Sequence, residues 1–445
     1  MHIKLHKGLD LTLAGGVNPD MEPVDVAVRS VALSPDDYPG IVPKMNVRPG
    51  DHVVIGSALF HDKNNPHVIV PSPVAGTVRE VVRGERRKVL RVIIDNEPQP
   101  QTADVIPSHD MPESLYDLLA SRGVLAMMRQ RPYDIVPTGK EMPRDIFISA
   151  IDSSPLALPL VCYLGENATV CLTEAVKSLS LLTSGKIYIT VDKKWPFGDI
   201  PGAEMVVAEG PHPVGNVGVQ IANICPVNKG ETVWTMDIQF MYRLGKYLLT
   251  GVLDPRTLVA VTGSEVRNPY IARTVVGAEV APLLEGHLES GHHQRVICGN
   301  VLTGKTDKVT GGYLAWPYRQ VTVIPEGDDV DEFMGWASVS PSKMSTSRSF
   351  PGHFLHRLFR PDARINGGRR AMIMSGEYDK VIPMDILPEY LVKAIMARDI
   401  EGMENLGIYE VAPEDFALAE YVDTSKLPLQ QIVREGLDYL RKELE

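Results

Sequence analysis

The densest group of chemically able residues is Gly210-Pro-His212-Pro213-Val-Gly215-Asn-Val-Gly218. An imidazole beside two glycines three apart suits a turn that opens a helix, where free backbone N–H groups attract anions. The fuller dinucleotide pattern, with a third glycine and a ribose-binding acid further on, is absent, and so is a phosphate-cradling G-x-x-x-x-G-K-S/T. His212, Pro213, Gly215 and Gly218 therefore form the candidate ligand or partner site, with a purely structural turn as the alternative. His292 and His293, with His287 nearby, have metal-ligand chemistry but no convincing further ligand beside them, and solvated loop histidines explain them as well. No Ser/His/Asp, Cys/His or paired-carboxylate set is defined by spacing. The expectation is no catalytic residue, no cofactor-binding residue and no metal site in this chain.

The four cysteines, Cys162, Cys171, Cys225 and Cys298, are scattered, which excludes a local CxxC motif and does not suggest a disulfide framework. The net charge of −11 argues against nucleic acid, which needs a basic face. No apolar run approaches the ~18–20 residues of a membrane span. The opening residues lack the apolar stretch of a secretory signal. The expected place is the cytoplasm, with membrane contact through a partner or a surface patch.

These residues need elements to position them, and 445 residues suggest several domains. Residues 1–105 are rich in Val, Pro and Gly, with frequent turn signals. Two half-motifs, Val47-Arg-Pro-Gly-Asp-His-Val53 and Val70-Pro-Ser-Pro-Val-Ala-Gly-Thr-Val78, each place a glycine in a tight turn between β-branched residues. Residues 106–255 alternate: helical patterns at 112–129, 168–183 and 237–250, strands at 145–150, 187–191 and 205–208. Such alternation implies parallel strands joined by helical crossovers, a Rossmann-like α/β domain. Residues 256–335 read as strands at 257–262, 295–301 and 319–324 with one short helix near 280–285. Residues 336–370 form a Ser-rich then Arg-rich linker. Its Arg357, Arg360, Arg364, Arg369 and Arg370 are a candidate contact for an acidic partner, or simply solvated charges. Residues 371–445 are mostly helical, with an amphipathic last helix over 427–444.

The paired half-motifs resemble the barrel-sandwich fold of biotinyl and lipoyl carriers. Lys63 lies where a carrier places its modified lysine, although His-Asp-Lys63-Asn-Asn lacks the usual flanking methionines; an exposed loop lysine is the plainer reading. Residues 256–335 resemble the soluble-ligand-binding β-grasp (SLBB) family.

Three segments together resemble the A subunits of sodium-translocating NADH:quinone reductases. They are Ile3-Lys-Leu-His-Lys-Gly-Leu-Asp-Leu-Thr-Leu-Ala-Gly-Gly16, then Asp62-Lys-Asn-Asn-Pro66 with Ser72-Pro-Val-Ala-Gly-Thr-Val78, and Gly210–Gly218 with Leu248-Leu-Thr-Gly251. The related Rnf-complex C subunit holds two iron–sulfur clusters, each through a C-x2-C-x2-C-x3-C-P run. Aligned on Pro383, the first run falls on Met372, Ser375, Tyr378 and Ile382. The second falls on Pro413, Phe416, Ala419 and Asp423. None offers a thiolate, so the tail resembles a ferredoxin-like helical domain without clusters. Flavin-binding relatives carry a Gly-rich loop before the first α/β strand; here the stretch Ser121–Tyr133 has one glycine and the bulky Met127, Met128 and Arg129.

The resemblance implies a peripheral protein on the cytoplasmic side of the bacterial inner membrane, within a six-subunit complex. That complex couples electron transfer from NADH to ubiquinone with sodium export. FMN, FAD, riboflavin and iron–sulfur centres would reside in partner subunits. The chief partner would be the membrane-embedded B subunit, and quinone is a possible ligand. The rival readings are an Rnf-type electron carrier, a purely structural assembly component, and a biotin or lipoyl carrier.

Overall fold

The structure is a computed structural model. It describes residues 1–97, 112–291, 293–328, 354, 358–365 and 367–444. Most of the Ser- and Arg-rich linker, with Arg357, and His292 lie outside the described residues.

The sandwich consists of two small sheets. One orders the strands Ser30–Leu33, Val89–Asn96, Gly76–Arg83 and His52–Val53; the other orders Pro43–Met45, Ala58–Asp62 and Ile69–Pro71. Alternate residues turn inward: Val31, Leu59, Phe60, Val70, Val78, Val92 and Ile94 are buried in one cluster. Gly76 runs where a Cβ would lie 1.8 Å from the Asp95 carbonyl oxygen, so only glycine lets these strands approach.

The second sheet has the order His2–Lys4, Glu204–Glu209, Ile187–Val191, Ile146–Ser149, Val233–Asp237, Arg129–Arg131. The first five strands are parallel and the last is antiparallel. Ile146 and Ile148 share a core with helices Ala168–Leu179 and Ile238–Thr250, while Phe147, on the other face, meets Ile221 of helix Val217–Ile224. Helices thus cover both faces, which accounts for the near-continuous apolar strands. From within the section 1–105, His2–Lys4 crosses over to serve as the edge strand of this second sheet. Ile3 and Leu5 point inward to Val206 and Ala208, and His2, Lys4 and His6 face solvent, a charged edge that resists further pairing.

The third sheet pairs Arg256–Thr262 in parallel with Gln320–Pro325. Antiparallel neighbours flank this pair, Tyr270–Val275 on one side and Gln294–Cys298 on the other. With the short helix Ala281–Leu284 packed on it, this is a β-grasp arrangement. Its far edge is Val24–Asp25, a second loan from the opening segment.

The last section is helical: Pro388–Ala397, Ile400–Asn405, Ala417–Val422 and Leu429–Leu444 are its main elements. Tyr378, Ile382, Phe416 and Ala419, four of the eight positions aligned with thiolates, are buried side by side in one apolar core. Aromatic and aliphatic atoms fill that space at ordinary packing.

Candidate functional site

In an open parallel sheet, ligands bind where the strand order reverses, beyond the carboxyl ends of the strands. Here the chain leaves Ile146–Ser149 for Ile187–Val191 on one side and returns as Val233–Asp237 on the other. A cavity of about 510 Å³ opens at that point. Ser149 and Asp152 line it from the first strand's end, Asp237 from the returning strand, Arg319 and Trp316 from the β-grasp, and Glu414 and Gln430 from the helical tail. Its volume lies within the range of small-molecule sites.

His212 and Gly215 reach this cavity; Pro213 and Gly218 lie behind it. His212 is 5% exposed. Its Nδ1 lies 2.9 Å from Ser153 Oγ, which also accepts the Gly215 N–H at 2.9 Å. The backbone N–H of His212 donates to Asp10 at 2.8 Å. Burial pushes the imidazole below its usual range, against the pull of Asp152 and Asp10. No carboxylate orients this ring as in a catalytic relay. A Cβ on Gly215 would stand 2.7 Å from the Ser153 amide, so glycine here is a requirement of close packing.

Helix Val217–Ile224 starts beside the cavity, and no side chain caps it. Asn216, at the cap position, instead donates its amide to the Glu414 carbonyl at 3.2 Å. The negative charge a helix start favours comes from within the chain. A Cβ on Gly218 would meet Asp415 Oδ2 at 2.4 Å, so the Asp415 carboxylate stands against the first turn. Asp415 is also held by Arg131 at 3.3 Å and by the Ala412 N–H at 2.9 Å. Arg131 and Asp415 are 1% and 0% exposed in their side chains. Burial of Asp415, and for Glu414 desolvation on the cavity wall followed by the repulsion of Asp415, push both carboxyls up, Glu414 to about 8; Arg131 opposes both rises.

The cations on the cavity wall are likewise engaged. Arg319 pairs with Asp237 at 2.5 Å and lies over the Tyr163 and Phe240 rings at 5.1 and 5.8 Å. Lys305 pairs with Asp37 at 2.7 Å. Arg434 donates to the Tyr133 carbonyl at 2.6 Å. Arg129 donates to the carbonyls of Ala126, Met128 and Asp37. His212 lines the same wall. Reading the sequence alone missed Arg131, Asp415 and Arg319, whose partners are remote in the chain.

The other sequence candidates do not join this site. Lys63 is exposed at the turn after strand Ala58–Asp62. His287 stacks on Tyr270 at 4.3 Å, and His293 pairs with Asp328 at 2.9 Å. Among the described residues no three His, Cys, Asp or Glu side chains are grouped to hold a metal. A smaller apolar cavity of about 70 Å³ lies between the sandwich and the helix Ile238–Thr250, lined by Tyr38, Val124, Met127, Leu244, Tyr247 and Trp316 among others.

Comparison with known sequences fits this architecture. Family profiles match along the chain: the NqrA N-terminal barrel-sandwich hybrid domain at residues 3–97, the NqrA second alpha/beta domain at 111–253, and the NQRA C-terminal domain at 258–308. Relatives named as the A subunit of the Na(+)-translocating NADH-quinone reductase are similar from end to end. That of Rhodopirellula baltica is 36% identical over 99% of this chain and 98% of its own. Those of Histophilus somni and Neisseria meningitidis are each 35% identical over 99% of this chain and 100% of theirs. Over this length and identity, the chain belongs to the family of A subunits of the Na(+)-translocating NADH-quinone reductase.

Proposed function

We propose that the chain works as a peripheral, cofactor-free A subunit of a reductase that couples NADH oxidation by ubiquinone to sodium export. One observation carries the cofactor-free part of this reading. At the switch point, where a dinucleotide or flavin phosphate would sit on a helix start, the chain places its own Asp415, tied to Arg131. Arg129 and Met127 stand on the same wall. Electrons would then pass through FMN, FAD, riboflavin and iron–sulfur centres of the partner subunits. The α/β section keeps a Rossmann-like order, with the helix start at its switch point met by its own carboxylate. The tail is a ferredoxin-like helical section whose cluster positions, Tyr378 and Phe416 among them, have become core.

On this reading the chain sits on the cytoplasmic side of the inner membrane and meets the membrane-embedded B subunit within a six-subunit complex. The support is the family and the absence, among the described residues, of a helix long and apolar enough to cross a membrane. An absorbance spectrum and intact mass of the purified chain test the proposal. A colourless protein of unmodified mass is expected; yellow or brown colour, or added mass on Lys63, overturns it.

A quinone role is the second reading, and the apolar cavity between sandwich and helix is the place in this chain to weigh for it. That cavity encloses about 70 Å³, whereas a dry cavity of about 150 Å³ takes a benzene ring. Any quinone contact is therefore better shared with the membrane-embedded partner than housed here. Calorimetry with a short-chain quinone should give no heat with the isolated chain and heat with the chain bound to that partner. Saturable binding to the isolated chain would instead place the ring inside it.

A further inference from the structure

The hairpin of strands Gly76–Arg83 and Val89–Asn96 outruns the sheet it belongs to. Strand His52–Val53 pairs only with Thr77 and Gly76, and Ser30–Leu33 pairs only from Val92 to Asp95. Beyond these, Val82 pairs with Arg91 and Arg83 with Val89, with no third strand among the described residues on either side. The result is a short two-stranded tip, anchored at its base where Arg91 Nη1 donates to the Thr310 carbonyl at 2.7 Å. Its end reads Arg83-Gly-Glu-Arg86-Arg87-Lys88, strongly cationic within a chain of net charge −11. Lys88 is paired with Asp36 at 2.7 Å. Arg83, Arg86 and Arg87 are exposed, and among the described residues none has a carboxylate within ion-pair distance. Arg83 Nη1 donates to the Arg87 carbonyl at 3.1 Å, which braces the tip.

The turn itself is unusual. The Lys88 N–H donates to the Glu85 carbonyl at 3.0 Å, and the two residues between have φ of 52° and 61°. Two successive left-handed residues make the mirror-image hairpin turn that Asn-Gly fills without strain. A Cβ is disfavoured there, yet both positions hold arginine. Strain kept at an exposed tip implies a use for the side chains.

We propose that this tip is a foot on the membrane surface, with Arg83, Arg86 and Arg87 binding the phosphate groups of an anionic bilayer. The guanidinium fork matches phosphate in two hydrogen bonds at once. Three exposed guanidiniums on one short tip suit the closely spaced phosphates of an anionic bilayer. The contact is local. Beyond a Debye length the acidic bulk of the chain no longer opposes it, and each arginine near the surface strengthens binding about fivefold. This goes beyond the family assignment, because it asks for lipid contact by this chain without its partner subunits.

The test is co-sedimentation of the purified full chain with vesicles. One set holds about 30% phosphatidylglycerol in a zwitterionic lipid, and the other is zwitterionic only. Salt is set at about 0.1 and about 1 M, Debye lengths of roughly 10 and 3 Å. Binding is expected only to the anionic set at the lower salt. Arg83→Gln with Arg86→Gln and Arg87→Gln should weaken it about 100-fold, three fivefold steps. Arg86→Asn with Arg87→Gly should melt no lower than the parent, since the turn relaxes, and still bind about 25-fold more weakly, two such steps. That pair separates lost binding from lost folding. A parent chain that ignores anionic vesicles, or arginine variants that bind as it does, overturns the proposal. Arginine-dependent capture by the detergent-solubilised remaining subunits, without vesicle binding, would also overturn it in favour of a protein contact.

Discussion

Asp415 and Arg131 show at the residue scale how the chain sets its own charge against the start of helix Val217–Ile224. Removing the carboxylate alone leaves a buried guanidinium uncompensated, so Asp415→Ala should destabilise the chain by about 3–5 kcal/mol in denaturant titration. Gly218→Ala forces a methyl group to within 2.4 Å of Asp415 Oδ2, an overpacking of about 1–3 kcal/mol. The two should couple: with Asp415 already alanine, Gly218→Ala should cost clearly less, because the collision has gone. Glu414 gives a pH signature. Its folded pKa is raised to about 8, so the stability it contributes is full below the ordinary carboxylate range and is lost as pH rises through about 8. Glu414→Gln should flatten that decline, seen as a higher melting temperature near pH 9 and little change near pH 5. The gain stays below what the shift alone implies, because the side chain is 45% accessible to cavity water. The glycine spacing marked His212 and Gly215 in the sequence. Arg131 and Asp415 left no such mark. They are 284 residues apart, and a buried ion pair between distant segments has no period to read.

At the scale of elements, the strong signals were local ones. Helix Ile238–Thr250 announces both ends, with Asp237 accepting the Phe240 N–H at 3.0 Å and Gly251 closing it in left-handed geometry. Strand Ile187–Val191 is a short β-branched run, and the structure has the strand at those same residues. Strand Val233–Asp237 was not legible because it has no turn after it: Asp237 ends the strand and caps the helix. Helix Val217–Ile224 was missed because eight residues rich in β-branched types carry little helical signal. Its stability comes from packing and from the borrowed carboxylate. Packing is equally decisive where helices Ala168–Leu179 and Ile238–Thr250 meet. A Cβ on Gly245 would lie 1.8 Å from the Cys171 carbonyl oxygen. Gly245→Ala should therefore cost at least about 1–3 kcal/mol, although alanine is the better helix former. Gly368→Ala, with nothing within 4 Å, should stay within about 0.5 kcal/mol and serves as the control in the same denaturation assay.

On the scale of the whole molecule, the cores disregard the order of the chain. One cluster runs from Val31 and Phe60 of the sandwich through Leu119 and Ile146 to Trp316 of the β-grasp. Another joins Ile3, Leu5, Val206 and Ala208 to Tyr378, Phe416 and Leu437 of the tail. Composition shifts along the sequence suggested separate pieces; they do not reveal which pieces share a core. A chain ending at residue 370 should bare the apolar side of the α/β edge. It should melt lower and bind a hydrophobic dye that the full chain excludes; equal melting and no dye uptake would show that the tail is dispensable.

The pairing of His2–Lys4 with Val207–Glu209 also sets a timetable. A ribosome adds about 5–20 residues per second, so the partner strand emerges roughly 10–40 s after the strand that must meet it. Until then Ile3 and Leu5 have no sheet to join, and the nascent amino terminus is open to chaperones and proteases. In the finished protein the amino-terminal ammonium donates to the Met205 carbonyl at 3.3 Å. That bond, from residue 1 to residue 205, forms only once the partner strand has arrived.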